Sequence, residues 1–312
     1  MRLIIDVLPF SGLINYEIKP GESFMEKITG KTKILGLIGW PVEHSLSPRM
    51  QNGALEAAGL NYVYVCFPTP PKNLLQAVAG IRALNITGVN VTIPHKSKVM
   101  RYLDEISGEA QRIGAVNTVI NQEGRLKGYN TDVYGFLRSL SENEVDADGS
   151  SVLVFGAGGV SRAICMGIAS LFPASITLTD MVMEKAYLLG EDIREAFSGV
   201  KMETIDTTAP GLVDRIKKAD IICNATPVGM KNTDECILSE DQWEAVSEGT
   251  VFFDAVYNIS GTKLQEEAGK RNLLYISGLD MLVYQGVRAF ELFTGESPDE
   301  DVMHRVLTEI LD

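Results

Sequence analysis

The feature that most constrains this chain is a repeated change of hydrophobic period. "ILGLIGW" (34–40), "YVYVCF" (62–67), "ITGVNVTI" (86–93) and "AVNTVIN" (115–121) are apolar, β-branched runs that read as strands. Between them "PRMQNGALEAAG" and "NLLQAVAGIRAL" carry apolar residues three and four apart and read as helices. Strand, helix, strand in succession is the rhythm of a largely parallel sheet, so the expected class is α/β.

The rhythm is interrupted once. "SENEVDADGS" (141–150) is polar, acidic and aperiodic, as a domain boundary is. A second series follows in "SVLVFG", "SITLTD", "ADIICNAT", "TVFFDAVY" and "LLYIS", and two closing helices, "MLVYQGVRAFELFTG" and "DVMHRVLTEIL", add no strand. Those helices can pack back on the first unit and close a cleft. At 312 residues two domains fit. The expected units are 31–145 plus about 283–312, and 146–282, with 1–30 an extension. In that extension Asp6 breaks the apolar stretch and no small-residue cleavage site follows, which argues against a signal peptide. Translation is expected to begin at Met25, just ahead of the first convincing strand.

Composition excludes several classes. A net charge of −13 argues against a nucleic-acid partner, since binders of phosphate backbone present a basic patch. No apolar run reaches the ~18 residues that span a bilayer. Cys66, Cys165, Cys223 and Cys236 show no CxxC spacing and read as thiols of a reducing, cytoplasmic compartment. With only His44, His95 and His304 available, no metal site is expected.

"SVLVFGAGGVSRAICMGIA" is a strand, a glycine-rich turn and a helix. Gly156 permits the tight turn, Gly158 lets backbone approach a pyrophosphate, and Gly159 opens a helix whose first amides attract anions. Ser161 stands where a third glycine is usual, so the motif alone is weak. Asp180 strengthens it: this acid ends the next strand, about 24 residues beyond Gly156, where a carboxylate binds the ribose hydroxyls of NAD. Its competing role is to cap the following helix. A carboxylate beside the 2′ phosphate of NADP would leave hydrogen bonds to a charged group unmade, at ~1.5–3 kcal/mol. Met181 follows where NADP enzymes place arginine, and Lys185 is the compensating cation. NAD is therefore the favoured cofactor, with NADP the alternative.

In the first half, "PVEHSLSPRM" sets Ser45 and Ser47 ahead of Pro48 at a helix start. Ser47 is either a plain helix cap or, with Ser45, a seat for a small carboxylate. "GVNVTIPHKSKV" (88–99) ends a strand and delivers Thr92, His95 and Lys96 around Pro94. Asp132 in "GYNTDVYGF" falls in a first helical turn and Asn117 in "GAVNTV" near a strand; each also has an ordinary structural explanation.

"PVEHSLSP", "GVNVTIPHK", "GAVNT", "GYNTD", "GAGGVSRA", "NATPVGM" and "GLDMLVYQG", in this order from about residue 36 to residue 286, resemble shikimate dehydrogenase, including its quinate/shikimate branch. The resemblance implies an N-terminal substrate domain, a C-terminal Rossmann domain and a cleft between them. It implies that Ser45 and Ser47 bind the substrate carboxylate, that Thr92, Asn117 and Gln285 bond ring hydroxyls, and that Tyr257 lies nearby. Lys96 and Asp132 become the catalytic pair. Gly156, Ala157, Gly158, Gly159 and Val160 cradle the pyrophosphate, and Thr226 and Gly278 line the nicotinamide side. The implied reaction interconverts 3-dehydroshikimate and shikimate in chorismate and aromatic amino acid biosynthesis, with quinate a further substrate and the protein a monomer or homodimer.

The chemistry suits those types. Oxidising a secondary alcohol sends hydride to the nicotinamide and releases the hydroxyl proton, which a lysine in a dehydrated cleft can accept. A carboxylate beside it makes the two titrate as one unit. The chain departs from the commonest family pattern at Asp180-Met181-Val182, which replaces an Asn-Arg-Thr turn, at Gln51, where histidine is frequent, at Asp280, where glycine is frequent, and after Asn258, where proline is usual. Two rivals remain: a quinate-preferring catabolic enzyme, and a non-catalytic sensor, which would be expected to lose Lys96 or Asp132.

Overall fold

The computed structural model describes residues 28–258 and 261–311, so the expected start at Met25 lies outside the described residues. The first sheet has six strands in the order β2-β1-β3-β5-β6-β4. β1 (Lys33–Gly39) pairs in parallel with β2 (Tyr62–Pro68) and β3 (Gly88–Val91), through crossover helices α1 (Ser47–Ala57) and α2 (Leu74–Ala83). β4 (Glu105–Ile106), α3 (Gly108–Ile113), β5 (Thr118–Gln122) and β6 (Arg125–Tyr129) follow. α4 (Asp132–Glu142) then leads away.

The second sheet, β12-β11-β10-β7-β8-β9, is parallel throughout. It takes β7 (Ser151–Phe155), α5 (Gly159–Ala169), β8 (Ser175–Thr179), α6 (Met183–Ala196) and β9 (Met202–Thr204). α7 (Gly211–Lys218), β10 (Ile221–Asn224), α8 (Glu240–Trp243), β11 (Val251–Asp254), α9 (Lys263–Lys270) and β12 (Tyr275–Ser277) complete it. α10 (Gly278–Thr294) and α11 (Glu300–Leu311) close the described chain.

The α/β class with two mostly parallel sheets is the one expected, but three strands were not: β4, β6 and β9. β6, "RLKGY", has Leu126 as its one fully enclosed aliphatic residue. It forms because Glu123 (φ 53°) and Gly124 (φ 89°) take the left-handed conformations of a two-residue hairpin. That hairpin makes β6 antiparallel to β5, and β5 also runs antiparallel to β3, so the first sheet is mixed.

Strand alternation sorts the core. Leu35 and Leu37 face a cluster with Met50, Leu55, Phe290 and Leu307 from α1, α10 and α11, while Ile38 joins Val78 and Ile81 of α2 on the opposite face. Each such aliphatic or aromatic side chain contributes roughly 1.5–3 kcal/mol by leaving water. α10 starts on the second sheet and ends among the first sheet's core residues. Where it crosses α4, Gly135 is required: a Cβ there would stand 2.6 Å from the Met281 carbonyl oxygen. The crossing brings Asp132 and Gln285 to one wall of the gap between the sheets. Among the described residues no helix is long and apolar enough to cross a membrane.

Candidate active site

A cavity of about 430 Å3 opens where strands of both sheets end at their carboxyl edges, the usual ligand position in open α/β sheets. Thr92 follows β3, Ala255 follows β11, and Val160 lies in the first turn of α5. Ten of the residues singled out from sequence share its wall. Ser45, Ser47, Thr92, Lys96, Asn117 and Asp132 come from the first unit, Val160 and Tyr257 from the second, and Gly278 and Gln285 from α10.

Lys96 is aimed by a short relay of backbone bonds. The Thr92 amide donates to the Ile38 carbonyl at 2.9 Å, and His95 turns back to the Thr92 carbonyl at 2.9 Å. The Lys96 carbonyl accepts from the Val116 amide at 2.8 Å. His95 is fully buried, and its Nε2 lies 2.6 Å from the Thr69 carbonyl oxygen, so Nε2 is the donor and fixes the turn. Lys96 Nζ then donates to Asp132 Oδ2 at 2.7 Å.

Asp132 is held as firmly. Asn130 Oδ1 accepts from the Asp132 amide at 3.0 Å, and Asn130 Nδ2 donates to the Ala115 carbonyl at 3.1 Å. This asparagine satisfies the start of α4, where Thr131 makes no side-chain cap, and the helix end favours an acid. Asn117 Nδ2 donates to Asp132 Oδ1 at 2.9 Å and to Thr131 Oγ1 at 2.9 Å. Asn117 Oδ1 accepts from the Thr131 amide at 2.8 Å and from Thr118 Oγ1 at 3.0 Å. Both amide hydrogens and both oxygen lone pairs of Asn117 are therefore occupied by protein, and its geometry is that of a group orienting Asp132.

At the other end of the cavity the Ser47 amide donates to Ser45 Oγ at 3.3 Å. Leu46, not Ser47, is the N-cap of α1 and makes no side-chain bond; with the Ser47 amide on Ser45, no N–H on Pro48 and the Met50 amide on the Leu46 carbonyl, the Arg49 amide is the one in the first turn left for an anion beside the two hydroxyls. Gln285 Nε2 bonds its own helix at the Leu282 carbonyl, 2.7 Å away, leaving its carbonyl oxygen facing no described donor. Burial pushes the Tyr257 phenol up from its ordinary range, so it stays a protonated donor. The cavity also holds Asn90, His44, Met230, Met281 and Leu282, none of them singled out from sequence. Asn90 was legible, because it stands two residues before Thr92 and period two puts both on one strand face. Met230 comes from an irregular loop that gives no such signal.

The remaining predicted residues gather beside this cavity, around the turn after β7. Gly156 has φ 101°, and a Cβ there would lie 2.7 Å from the Ala225 carbonyl oxygen and 3.1 Å from Thr226 Cγ2. A Cβ on Gly158 or Gly159 would meet nothing within 4 Å. The turn is thus open on the side a pyrophosphate would take. Gly158 is the N-cap of α5 and no side chain caps it, so the helix presents free amides to an anion. Asp180 Oδ2 accepts from the Ala157 amide and Oδ1 from the Val182 amide, each at 2.7 Å. Asp180 therefore braces the glycine turn and does not cap α6, whose N-cap is Val182. Each carboxylate oxygen keeps a second lone pair for a ribose hydroxyl. Met181 beside it is 92% exposed. These residues fit a nicotinamide dinucleotide.

Comparison with known proteins agrees. Residues 37–119 match the family model of the shikimate dehydrogenase substrate binding domain, and 278–308 that of the shikimate 5'-dehydrogenase C-terminal domain. The chain is 43% identical over 292 residues to shikimate dehydrogenase (NADP+) of Methanothermobacter thermautotrophicus, spanning 91% of this chain and 99% of the relative. A solved shikimate dehydrogenase in complex with NADP+ superposes with a TM-score of 0.84 at 41% identity, over 91% of this chain and 98% of that one. Shikimate 5-dehydrogenase from Listeria monocytogenes, in complex with shikimate and NAD, gives a TM-score of 0.84 at 35% identity, over 90% and 98%. The NADP+ named in the first two does not support the preference for NAD expected from Asp180.

Proposed function

The chain belongs to the shikimate dehydrogenase family, and we propose from that premise that it interconverts shikimate and 3-dehydroshikimate with a nicotinamide dinucleotide. The observation that carries this reading is the Lys96–Asp132 pair, which opens on the same cavity as the Ser45–Ser47 turn. The bound dinucleotide supplies the hydride acceptor in oxidation and the donor in reduction. Ser45 and Ser47 hold the substrate carboxylate with their hydroxyls and the start of α1. Thr92 and the free carbonyl oxygen of Gln285 orient the ring hydroxyls, and Tyr257 closes the side toward the second sheet.

Lys96 takes the hydroxyl proton as the carbinol carbon is oxidised and returns it in the reverse direction. Asp132 keeps the lysine nitrogen at the reacting oxygen, and Asn117 keeps Asp132 in place. Gly156, Ala157, Gly158, Gly159 and Val160 hold the pyrophosphate, with Thr226 and Gly278 on the nicotinamide side. Within the dinucleotides, Asp180 and the absence of arginine at Met181 support NAD over NADP, against the cofactor that the relative's name carries.

The test is a set of initial rates with shikimate or quinate, each with NAD+ or NADP+. Turnover of shikimate is expected, faster with NAD+. A preference for NADP+ would keep the enzyme and overturn the reading of Asp180; faster turnover of quinate would overturn the substrate. Lys96→Ala should lower kcat by roughly 100-fold or more with KM for shikimate little changed. Near-parental turnover in that variant would sink the catalytic pair.

A further inference from the structure

The hydrogen bonds that hold Asp132 do not end at Asn117. Thr118 Oγ1 donates to Asn117 Oδ1 at 3.0 Å, Asn90 Nδ2 donates to Thr118 Oγ1 at 3.0 Å, and the Tyr64 hydroxyl donates to Asn90 Oδ1 at 2.8 Å. The series starts on β2, passes β1, and continues through β3 and β5 to the cavity wall. Its members are enclosed: Tyr64 is 1%, Asn90 8%, Thr118 0% and Asn117 3% exposed.

Every link points the same way. An O–H, an N–H, an O–H and an N–H donate in turn, and the last acceptor is the carboxylate oxygen that Lys96 does not hold. Bonds so aligned polarise one another, and the low dielectric of the interior strengthens each. Side bonds hold the order. Asn90 Nδ2 also donates to the Asn117 carbonyl at 3.2 Å, which sets that amide with its oxygen toward Tyr64. Tyr64 itself is clamped by Asn52, which accepts from the Tyr64 amide and donates to its carbonyl, each at 2.8 Å. Burial raises the Tyr64 phenol well above its ordinary range, so it remains a donor. Tyr64 is no part of the cavity wall, and nothing in the mechanism above uses it.

We propose that Tyr64 is a remote positioning residue for proton transfer at the Lys96–Asp132 pair, acting through Asn90, Thr118 and Asn117. The proposal rests on the reading of that pair as the acid–base pair. The aligned donors draw charge from Asp132 Oδ1 and so weaken the carboxylate's hold on the proton that Lys96 must exchange. Removing them is expected to move the pH dependence of turnover to higher pH. The other titratable side chains on the cavity wall are His44 and Tyr257, and the titratable group acting on Tyr64 is the Cys66 thiol on its own strand.

The experiment compares Tyr64→Phe, Thr118→Val and the double variant in shikimate oxidation between about pH 6 and pH 10. Tyr64→Phe keeps the ring and deletes only the donor. Thr118→Val keeps the shape and breaks a different link. Each is expected to lower kcat roughly three- to tenfold and to move the midpoint of its rise a few tenths of a unit to higher pH. KM for shikimate should stay within about twofold, since no ring contact is lost. The double variant should be no worse than Thr118→Val, because the two links are in series. Should Tyr64→Phe fail to fold, Thr118→Val carries the test alone. Unmoved midpoints, or losses that add in the double variant, overturn the proposal while leaving the pair intact if Lys96→Ala is inactive. An active Lys96→Ala removes the pair, and the proposal with it.

Discussion

Asn117 and Asp180 show how differently the roles of single residues can be read from sequence. Asn117 was expected to bond a ring hydroxyl, yet its amide is filled by Thr131, Thr118 and Asp132. Thr118 stands next to it in "GAVNTV", but Thr131 and Asp132 lie 14 and 15 residues on and reach it only in the fold, so the sequence does not foretell the arrangement. The place of Asp180 just past a strand was legible, but the bonds the structure gives it, from the Ala157 and Val182 amides, were not. The double change Asp180→Asn with Met181→Arg is expected to shift the ratio of kcat/KM for NADP+ over NAD+ upward by tenfold or more, since it removes a carboxylate and adds a phosphate-binding fork. Rates with both cofactors check it. An unchanged ratio would place the 2′ recognition elsewhere, with Lys185 the next position to change.

Among the elements, those with a clean period were legible and those held by tertiary contacts were not. β1, β2, β7 and β8 coincide with apolar β-branched runs, and α1 and α2 with runs of three-four spacing. β4 and β9, of two and three residues, are too short to carry a pattern, and β6 owes its pairing to the turn at Glu123 and Gly124. α9 was not foreseen either: it is polar, with Leu264 and Ala268 its buried residues. Its exposed face is stitched by pairs at three- and four-residue spacing. Lys270 and then Arg271 hold the Glu267 carboxyl down to about 2. A folded-state value below the ordinary one means stability that is present at neutral pH and is lost as pH falls from about 4.5 toward 2. Glu267→Gln should therefore lower Tm by roughly 1 °C at neutral pH. Melts at a series of pH values should show that gap narrowing in acid, and added salt should shrink it as well.

At the scale of the molecule, the two sheets share their packing instead of meeting across a linker. Phe136 of α4 is fully buried, and its ring meets that of Phe253 on β11 edge-on, 4.9 Å between centroids and 89° between planes. It belongs to one core with Ile164 of α5 and Ile176 of β8. Phe136→Ala should cost about 3–5 kcal/mol, as large-to-small changes in a close-packed core do. Because that core seats α3 and α4 of the first unit on the second sheet, calorimetry should show Tm falling and the transition broadening or splitting. A sharp, unshifted transition would mean that the sheets unfold without reference to this contact.

α10 has a further bearing on how the cavity can work. Gly278, proposed for the nicotinamide side, and Gln285, proposed for the substrate side, line the same cavity seven residues apart on one unbroken helix. At 1.5 Å per residue, about 10 Å of rigid rod separates them. That helix acts as a caliper: the span between the two walls is fixed by backbone pitch, whatever angle the sheets adopt about it. On the proposed function, loops at the rim can lengthen or shorten without altering the distance between the two positions, whereas one residue added between Gly278 and Gln285 would rotate the glutamine by about 100° and take it off the wall.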